Sequence, residues 1–182
     1  MIAWIEFYAL ISKIFPNDTA KYKLIRLMLK SISLLYLSAL VFMIISFNTQ
    51  NHPFDIYILY SILVAILSDI GGLVIGKTFK GKKLSKISPN KTISGSIGSF
   101  VFTLTLVPIF IENYIEINTL SLTCITIIIS LSSQTGDLFI SLLKRRAKVK
   151  NTSDILPGHG GVLDRIDGII FAIPIGLLLF TL

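Results

Sequence analysis

A single cysteine, Cys124, leaves no partner for a disulfide within the chain and no second thiolate for a metal cluster. It falls inside a hydrophobic run and reads as a small apolar filler. Charge is also scarce, at 15% of 182 residues against about 25% in ordinary soluble domains. Met1 to Phe15 has neither a basic leading region nor a small-residue cleavage site, and Glu6 interrupts it. That argues against a secretory signal peptide and for an interfacial or short inserted helix. Internal repeats, low-complexity tracts and Pro/Ser-rich linkers are missing too, so residues 1–182 read as one integral membrane domain.

What the chain has in abundance is apolar sequence, 53% of all residues. It is gathered into nearly charge-free runs long enough to cross a hydrocarbon core of about 30 Å. Read against their charged flanks, the runs predict spans near Ser31 to Phe47, Phe54 to Gly76, Ile93 to Ile111, Thr119 to Leu143 and Ile166 to Leu182. The expected fold is all-α: a polytopic transmembrane helical bundle of about five spans with an N-terminal interfacial helix.

The net charge of +7 has two readings, nucleic-acid binding or membrane orientation, and the positions of the 17 basic residues decide between them. Lys13, Lys21, Lys23, Arg26 and Lys30 precede the first clear span. Six lysines lie from Lys77 to Lys91, and six basic residues from Lys144 to Arg165, whereas the connectors Asn48 to Pro53 and Glu112 to Asn118 hold none. Basic loops on one side give a consistent alternation with cytoplasmic segments at 1–30, 77–92 and 144–165. The expected location is the cell (inner) membrane, multi-pass. Nucleic acid is excluded as a partner, because topology explains the charge and the loops lack interleaved aromatics for base stacking.

Ionisable residues within spans are costly and are therefore candidates for function. Asp69 lies roughly 22 Å along its inward-running helix and Asp137 roughly 27 Å along another, so both approach the cytoplasmic leaflet. The last span opens with Asp164-Arg165-Ile166-Asp167, whose carboxylates share a face if helical. Such a cluster needs a cation, and a hard divalent ion such as Mg²⁺ takes oxygen ligands and brings substrate phosphates with it. Asp69, Asp137, Asp164 and Asp167 are the candidate metal ligands. The alternative is structural ion pairing with Lys144, Arg145 or Arg165.

Between these aspartates runs Leu156-Pro157-Gly158-His159-Gly160-Gly161-Val162-Leu163. Three glycines around one histidine either leave backbone amides open to a phosphate or form a tight turn before the last helix. His159 can donate to a phosphate oxygen, act in proton transfer or cap the turn. Lys144-Arg145-Arg146 reads as a positive-inside flank or as phosphate contacts. In Ser88-Pro89-Asn90-Lys91-Thr92, Thr92 can cap the next helix and Lys91 can face a phosphate or water. Gly71, Gly72 and Gly76 are readable as close helix packing or as backbone opened to a ligand.

Taken together, these pieces resemble the phosphatidate cytidylyltransferase (CDP-diglyceride synthetase) family. The resemblance is carried by Ser141, Lys144, Arg145, Lys150, Pro157-Gly158-His159-Gly160-Gly161, Asp164-Arg165 and Asp167, with Gly136-Asp137-Leu138 upstream. Asp69 with Gly71, and Ser88-Pro89 with Lys91-Thr92 and Gly95, are similar to two further blocks. It covers 66–182, the catalytic part, and leaves 1–65 outside as an N-terminal membrane part. The chain departs from the pattern at Asn151, where an acidic residue is usual, and is short ahead of Asp69.

The resemblance implies transfer of a cytidylyl group from CTP to phosphatidate at a cytoplasmic site, giving CDP-diacylglycerol and pyrophosphate, with Mg²⁺ as cofactor. It implies Asp137, Lys144, Arg145, His159, Asp164, Arg165 and Asp167 as catalytic residues. Ser88, Lys91, Gly158, Gly160 and Gly161 would bind the nucleotide, and a homodimer is compatible with it. The alternatives are a related CTP-dependent enzyme acting on an isoprenoid lipid, and a catalytically inactive membrane relative.

Overall fold

The computed structural model describes residues 1–17, 19–48, 54–85, 88, 91–158 and 160–181. Among them lie seven helices: α1 (Ile2–Ile14), α2 (Ala20–Asn48), α3 (Phe54–Phe79), α4 (Ile93–Leu104), α5 (Leu106–Asn113), α6 (Thr119–Arg146) and α7 (Leu163–Thr181). The described residues form no strand, only isolated bridges at Lys83 with Thr92 and at Leu156 with Gly160. Four helical stretches are long and apolar enough to cross a membrane: Ala20–Ser46, Asp55–Phe79, Ile93–Asn113 and Thr119–Arg146. The chain is an all-helical membrane protein.

Four sequence expectations shift. The first span belongs to a helix that starts at Ala20 rather than Ser31, because Lys21, Lys23, Arg26 and Lys30 are good helix formers whose stems can run along an apolar surface. The expected span 93–111 is split at Thr105 into α4 and α5. Pro108 cannot donate to the carbonyl of Leu104, so the helical ladder is interrupted there. The apolar run at 166–182 falls in α7, which opens with Asp164, Arg165 and Asp167 and is not among the four stretches apolar enough to span. Cys124, expected to fill a gap, is exposed on α6.

The chain forms two compact units, one of residues 1–50 with 139–167 and the other of residues 51–138 with 168–182. In the second unit α3 packs closely on α4, because glycines meet glycines. A Cβ on Gly71 would stand 2.5 Å from the Gly98 carbonyl oxygen, and one on Gly95 would stand 2.7 Å from that of Gly72. Small residues let membrane helices approach backbone to backbone. Of the two readings open for Gly71 and Gly72, helix packing is therefore the one observed.

The same unit buries an apolar cluster of Tyr60, Val64, Leu106, Phe110, Leu122 and Ile129. Several of its interior polar groups pair with one another, although among the described residues the buried Ser133 hydroxyl has no partner. The Tyr60 and Thr126 hydroxyls share a hydrogen bond of 2.5 Å, Ser99 donates to the Ser68 carbonyl at 2.6 Å, and Ser96 donates to Gln134 Oε1 at 2.6 Å. Without such pairing each group would carry its desolvation penalty into the apolar interior.

In the first unit, α1 buries Ala3, Glu6, Leu10 and Ile11 on one face. By contrast α2 shows long exposed apolar side chains such as Ile32, Leu35 and Phe42, as expected of a helix facing lipid.

Candidate functional site

Each unit carries one set of the residues singled out from sequence. In the second unit, Asp69 sits two thirds of the way along α3, Lys91 just before α4 and Asp137 late in α6. Lys91 is placed by a folded-back loop in which the Leu84 amide donates to the Lys91 carbonyl at 2.8 Å and the Lys91 amide to the Ser88 carbonyl at 3.1 Å. Thr92 caps α4, its hydroxyl accepting the Gly95 amide at 3.0 Å, as the sequence suggested. Lys91 Nζ forms an ion pair with the Asp137 carboxylate, and Asp69 lies within electrostatic range of both. Residues from three separate segments thus lie within electrostatic range of one another.

In the first unit the last turn of α6 carries Lys144 and Arg145. Lys148 closes that helix in the left-handed conformation, at φ +55°. A short turn follows in which the Leu156 and Gly160 amides each donate to the other's carbonyl, at 3.0 and 3.1 Å. Gly158 and Gly160 take φ of +73° and +85°, a region where a side chain is strained. His159 lies outside the described residues. Pro157 and Gly158 are exposed, Arg145 and Arg165 are exposed, and Asp167 is buried.

Asp164 organises this segment. Its Oδ1 accepts Lys144 Nζ at 2.6 Å, and its Oδ2 accepts the Thr152 amide at 2.8 Å, the Thr152 hydroxyl at 3.0 Å and the Gly161 amide at 3.0 Å. Burial pushes the Asp164 carboxyl up, but Lys144 and the two amides outweigh it and hold the group below the usual carboxylate range. One carboxylate therefore ties the end of α6, the loop and the start of α7 together.

Sequence reasoning missed the partner of this arrangement. Glu6, on α1, is 2% exposed. Its carboxylate accepts the Ser153 hydroxyl at 2.6 Å, the Thr152 hydroxyl at 3.1 Å, the Val162 amide at 3.0 Å and the Leu163 amide at 2.7 Å. It caps the first turn of α7, where unpaired amides and the helix dipole favour a negative charge. The amides of Gly160 and Gly161, open to a phosphate on one of the two sequence readings, donate to Leu156 and Asp164, so the tight turn is the reading observed. A signal for Glu6 was available. A lone carboxylate in an apolar helix needs donors somewhere, which is the reasoning that singled out Asp69 and Asp137.

Among the described residues no three His, Cys, Asp or Glu side chains gather closely enough to hold a metal ion by themselves. A magnesium ion does not require three, since it commonly keeps several waters and takes one or two carboxylates plus substrate phosphates. Asp69 and Asp137 provide a donor set of that kind. Asp164 Oδ2, with three donors already on it, is committed to the loop.

The family model described as the cytidylyltransferase family matches residues 1–182. The chain is 40% identical over 141 residues to a phosphatidate cytidylyltransferase of Rickettsia typhi, covering 73% of this chain and 61% of that one. It is 47% identical over 115 residues to that of Rickettsia felis, covering 59% and 51%. It is also 42% identical over 120 residues to that of Bacillus subtilis, covering 65% and 45%. The chain spans roughly half the length of these curated relatives.

Proposed function

The chain belongs to the cytidylyltransferase family, and from that premise we propose that it transfers a cytidylyl group from CTP to phosphatidate, giving CDP-diacylglycerol and pyrophosphate. The observation that carries the proposal is the gathering of Asp69, Lys91 and Asp137, which come from three separate segments that match family blocks. An ammonium paired with one carboxylate and within electrostatic range of a second is suited to polyphosphate and its counter-cation.

In this reaction an oxygen of the lipid phosphate forms a bond to the α-phosphorus of CTP while the bond from that phosphorus to the bridging oxygen of the β-phosphate breaks. The leaving group is pyrophosphate. Catalysis of such a displacement is mainly positioning and neutralisation of charge on the phosphoryl oxygens. Asp69 and Asp137 would hold Mg²⁺, which supplies that neutralisation when bound. Lys91 contacts phosphates beside that pair; within the first unit, Lys144, Arg145 and Arg165 are the candidate phosphate contacts and the turn at Gly158, Gly160 and Gly161 the candidate nucleotide-binding turn. Asp164 acts within its own unit by holding Lys144 and the loop in place. On this reading the basic segments face the cytoplasm, and the apolar part of α7 that follows Asp167 is the fifth span, its three charged residues standing at the membrane edge.

The experiment is incubation of the purified protein with radiolabelled CTP, phosphatidate in mixed micelles and Mg²⁺. Labelled CDP-diacylglycerol is the expected product. Folded protein that makes none, or that labels an isoprenoid phosphate in preference, would overturn the proposal.

A further inference from the structure

Close in sequence to Asp69, Lys91 and Asp137, the second unit carries a ring of hydrogen bonds that joins α3, α4 and α6. Gln134 on α6 uses both ends of its amide. Its Oε1 accepts the Ser96 hydroxyl of α4 at 2.6 Å, and its Nε2 donates to the Ser130 hydroxyl, one turn back on α6, at 3.4 Å. Ser130 donates in turn to the Ser68 hydroxyl of α3 at 3.2 Å. The ring closes where Ser99, one turn after Ser96 on α4, donates to the Ser68 carbonyl at 2.6 Å. Ser68, Ser99, Ser130 and Gln134 are all buried.

An amide is costly to bury unless its donor and acceptor are paired. Once paired it constrains helices as an apolar side chain of equal size does not, because a hydrogen bond weakens with a small change of distance or angle. The contacts of Gly71 with Gly98 and of Gly72 with Gly95 set the approach of α3 to α4. Gln134 holds α6 against both.

Each helix in the ring carries one of the charged groups close to its ring member. Ser68 directly precedes Asp69. Gln134 lies three residues before Asp137, about 4.5 Å along the helix and on the same side of it. The Ser96 amide donates to the Thr92 carbonyl at 3.1 Å, and Thr92 follows Lys91. A shift of any one helix at the ring therefore moves a carboxylate or the ammonium.

We infer that Gln134 is a positioning residue for the cation and phosphate group: by joining α6 to α4 through Ser96, and to α3 through Ser130 and Ser68, it sets the separation of the Asp69 and Asp137 carboxylates. The inference rests on the cytidylyl-transfer reading of that group. Mg²⁺ demands near-ideal octahedral geometry, so two carboxylates from different helices hold it well only at the right separation. Residues that orient metal ligands from behind contribute about ten- to a hundredfold in affinity or activity.

The purified protein would be compared with Gln134→Met, Ser96→Ala, Ser96→Thr and Thr126→Val. Methionine nearly conserves the volume of glutamine without its amide, and Ser96→Ala breaks the same link more mildly should the first variant fail to fold. Two quantities are read: the Mg²⁺ concentration that gives half the maximal rate of CDP-diacylglycerol formation, and the affinity for Mn²⁺ with CTP but no phosphatidate, followed by electron paramagnetic resonance. Gln134→Met and Ser96→Ala should raise the Mg²⁺ requirement and weaken Mn²⁺ binding by about tenfold. Their rate at saturating Mg²⁺ should stay within about threefold of the parent. Ser96→Thr keeps the hydroxyl and should stay within about twofold of the parent in both quantities. Thr126→Val removes the hydrogen bond to Tyr60, two turns earlier on α6, and should lower Tm with both quantities unchanged.

Mn²⁺ binding at the parent affinity in Gln134→Met and Ser96→Ala, or an equal loss in Thr126→Val, overturns the inference. A lower maximal rate with an unchanged Mg²⁺ requirement, the result of a merely structural role, overturns it as well. Failure of the transfer reading looks different, because the parent itself then makes no CDP-diacylglycerol.

Discussion

Glu6 accepts the amide of Leu163 at 2.7 Å across 157 residues of chain. The first helix thereby caps α7 and fixes the loop that leads into it. Replacing Glu6 with alanine leaves the Ser153 hydroxyl and the Val162 and Leu163 amides without that acceptor, while the Thr152 hydroxyl keeps Asp164. The expected loss is about 3 kcal/mol of stability, read as a lowered Tm in detergent, because each buried unpaired donor costs about 1–3 kcal/mol and some will find water. Glu6→Gln keeps one acceptor oxygen and should fall between the two. An alanine variant that melts with the parent would show that the clasp is unimportant.

Asp164 sets an acid limit. Its carboxyl is held below the ordinary range in the folded chain, so it contributes stability at pH values above its unfolded pKa of about 3.9. That contribution is lost as pH falls through the lowered folded value. The gap in unfolding midpoint between the parent and Asp164→Asn should be full near neutrality and shrink below about pH 4. A gap independent of pH would place the effect in packing rather than in charge.

The glycines separate two kinds of strain. A Cβ at Gly71 meets the backbone carbonyl of Gly98 at 2.5 Å, whereas one at Gly158 meets nothing within 4 Å but must be carried at φ +73°. Gly71→Ala should therefore destabilise by about 2–3 kcal/mol through overpacking. Gly158→Ala should cost about 1 kcal/mol, the price of a left-handed residue. Thermal unfolding of the two variants side by side would reveal a reversed order.

Asp137 is paired with Lys91, and Asp69 feels both charges. If this group handles CTP and its cation, Asp137→Asn should lower the rate of CDP-diacylglycerol formation by about a hundredfold or more, the scale of losing a principal electrostatic contact. Helix content by circular dichroism should stay at the parent level. Chelation of divalent ions should stop the parent reaction, and added Mg²⁺ should restore it. Activity of Asp137→Asn close to the parent would remove the residue from the mechanism.

Asn151 is exposed, and it flanks Gly160 together with Asp164. A carboxylate there adds a second negative charge beside Asp164 and gains from a nearby cation. Asn151→Asp should raise transfer activity several-fold at saturating Mg²⁺ and lose that advantage as the ion is withdrawn. In a strain depleted of its own CDP-diacylglycerol synthase, growth with the parent as fast as with the variant would count against any defect at Asn151.

Sequence alone determined that this chain lives in a membrane, because hydrocarbon admits only long helical runs with few charges, and such runs can be read one residue at a time. It also determined the cap at Thr92 and the order of motifs that carries the family resemblance, since both depend on short spacings. Helix limits were less legible where chemistry was mixed. The basic start of α2 looked like a flank, and Pro108 broke a run that hydropathy alone reads as continuous. Only the tertiary structure decided which partner each buried charge takes. The Lys91–Asp137 pair, the fourfold clasp of Glu6, and the closure of the Gly160 and Gly161 amides onto Leu156 and Asp164 all depend on where distant segments come to rest. Buried polar groups must find donors or acceptors, but their spacing along the chain does not say which.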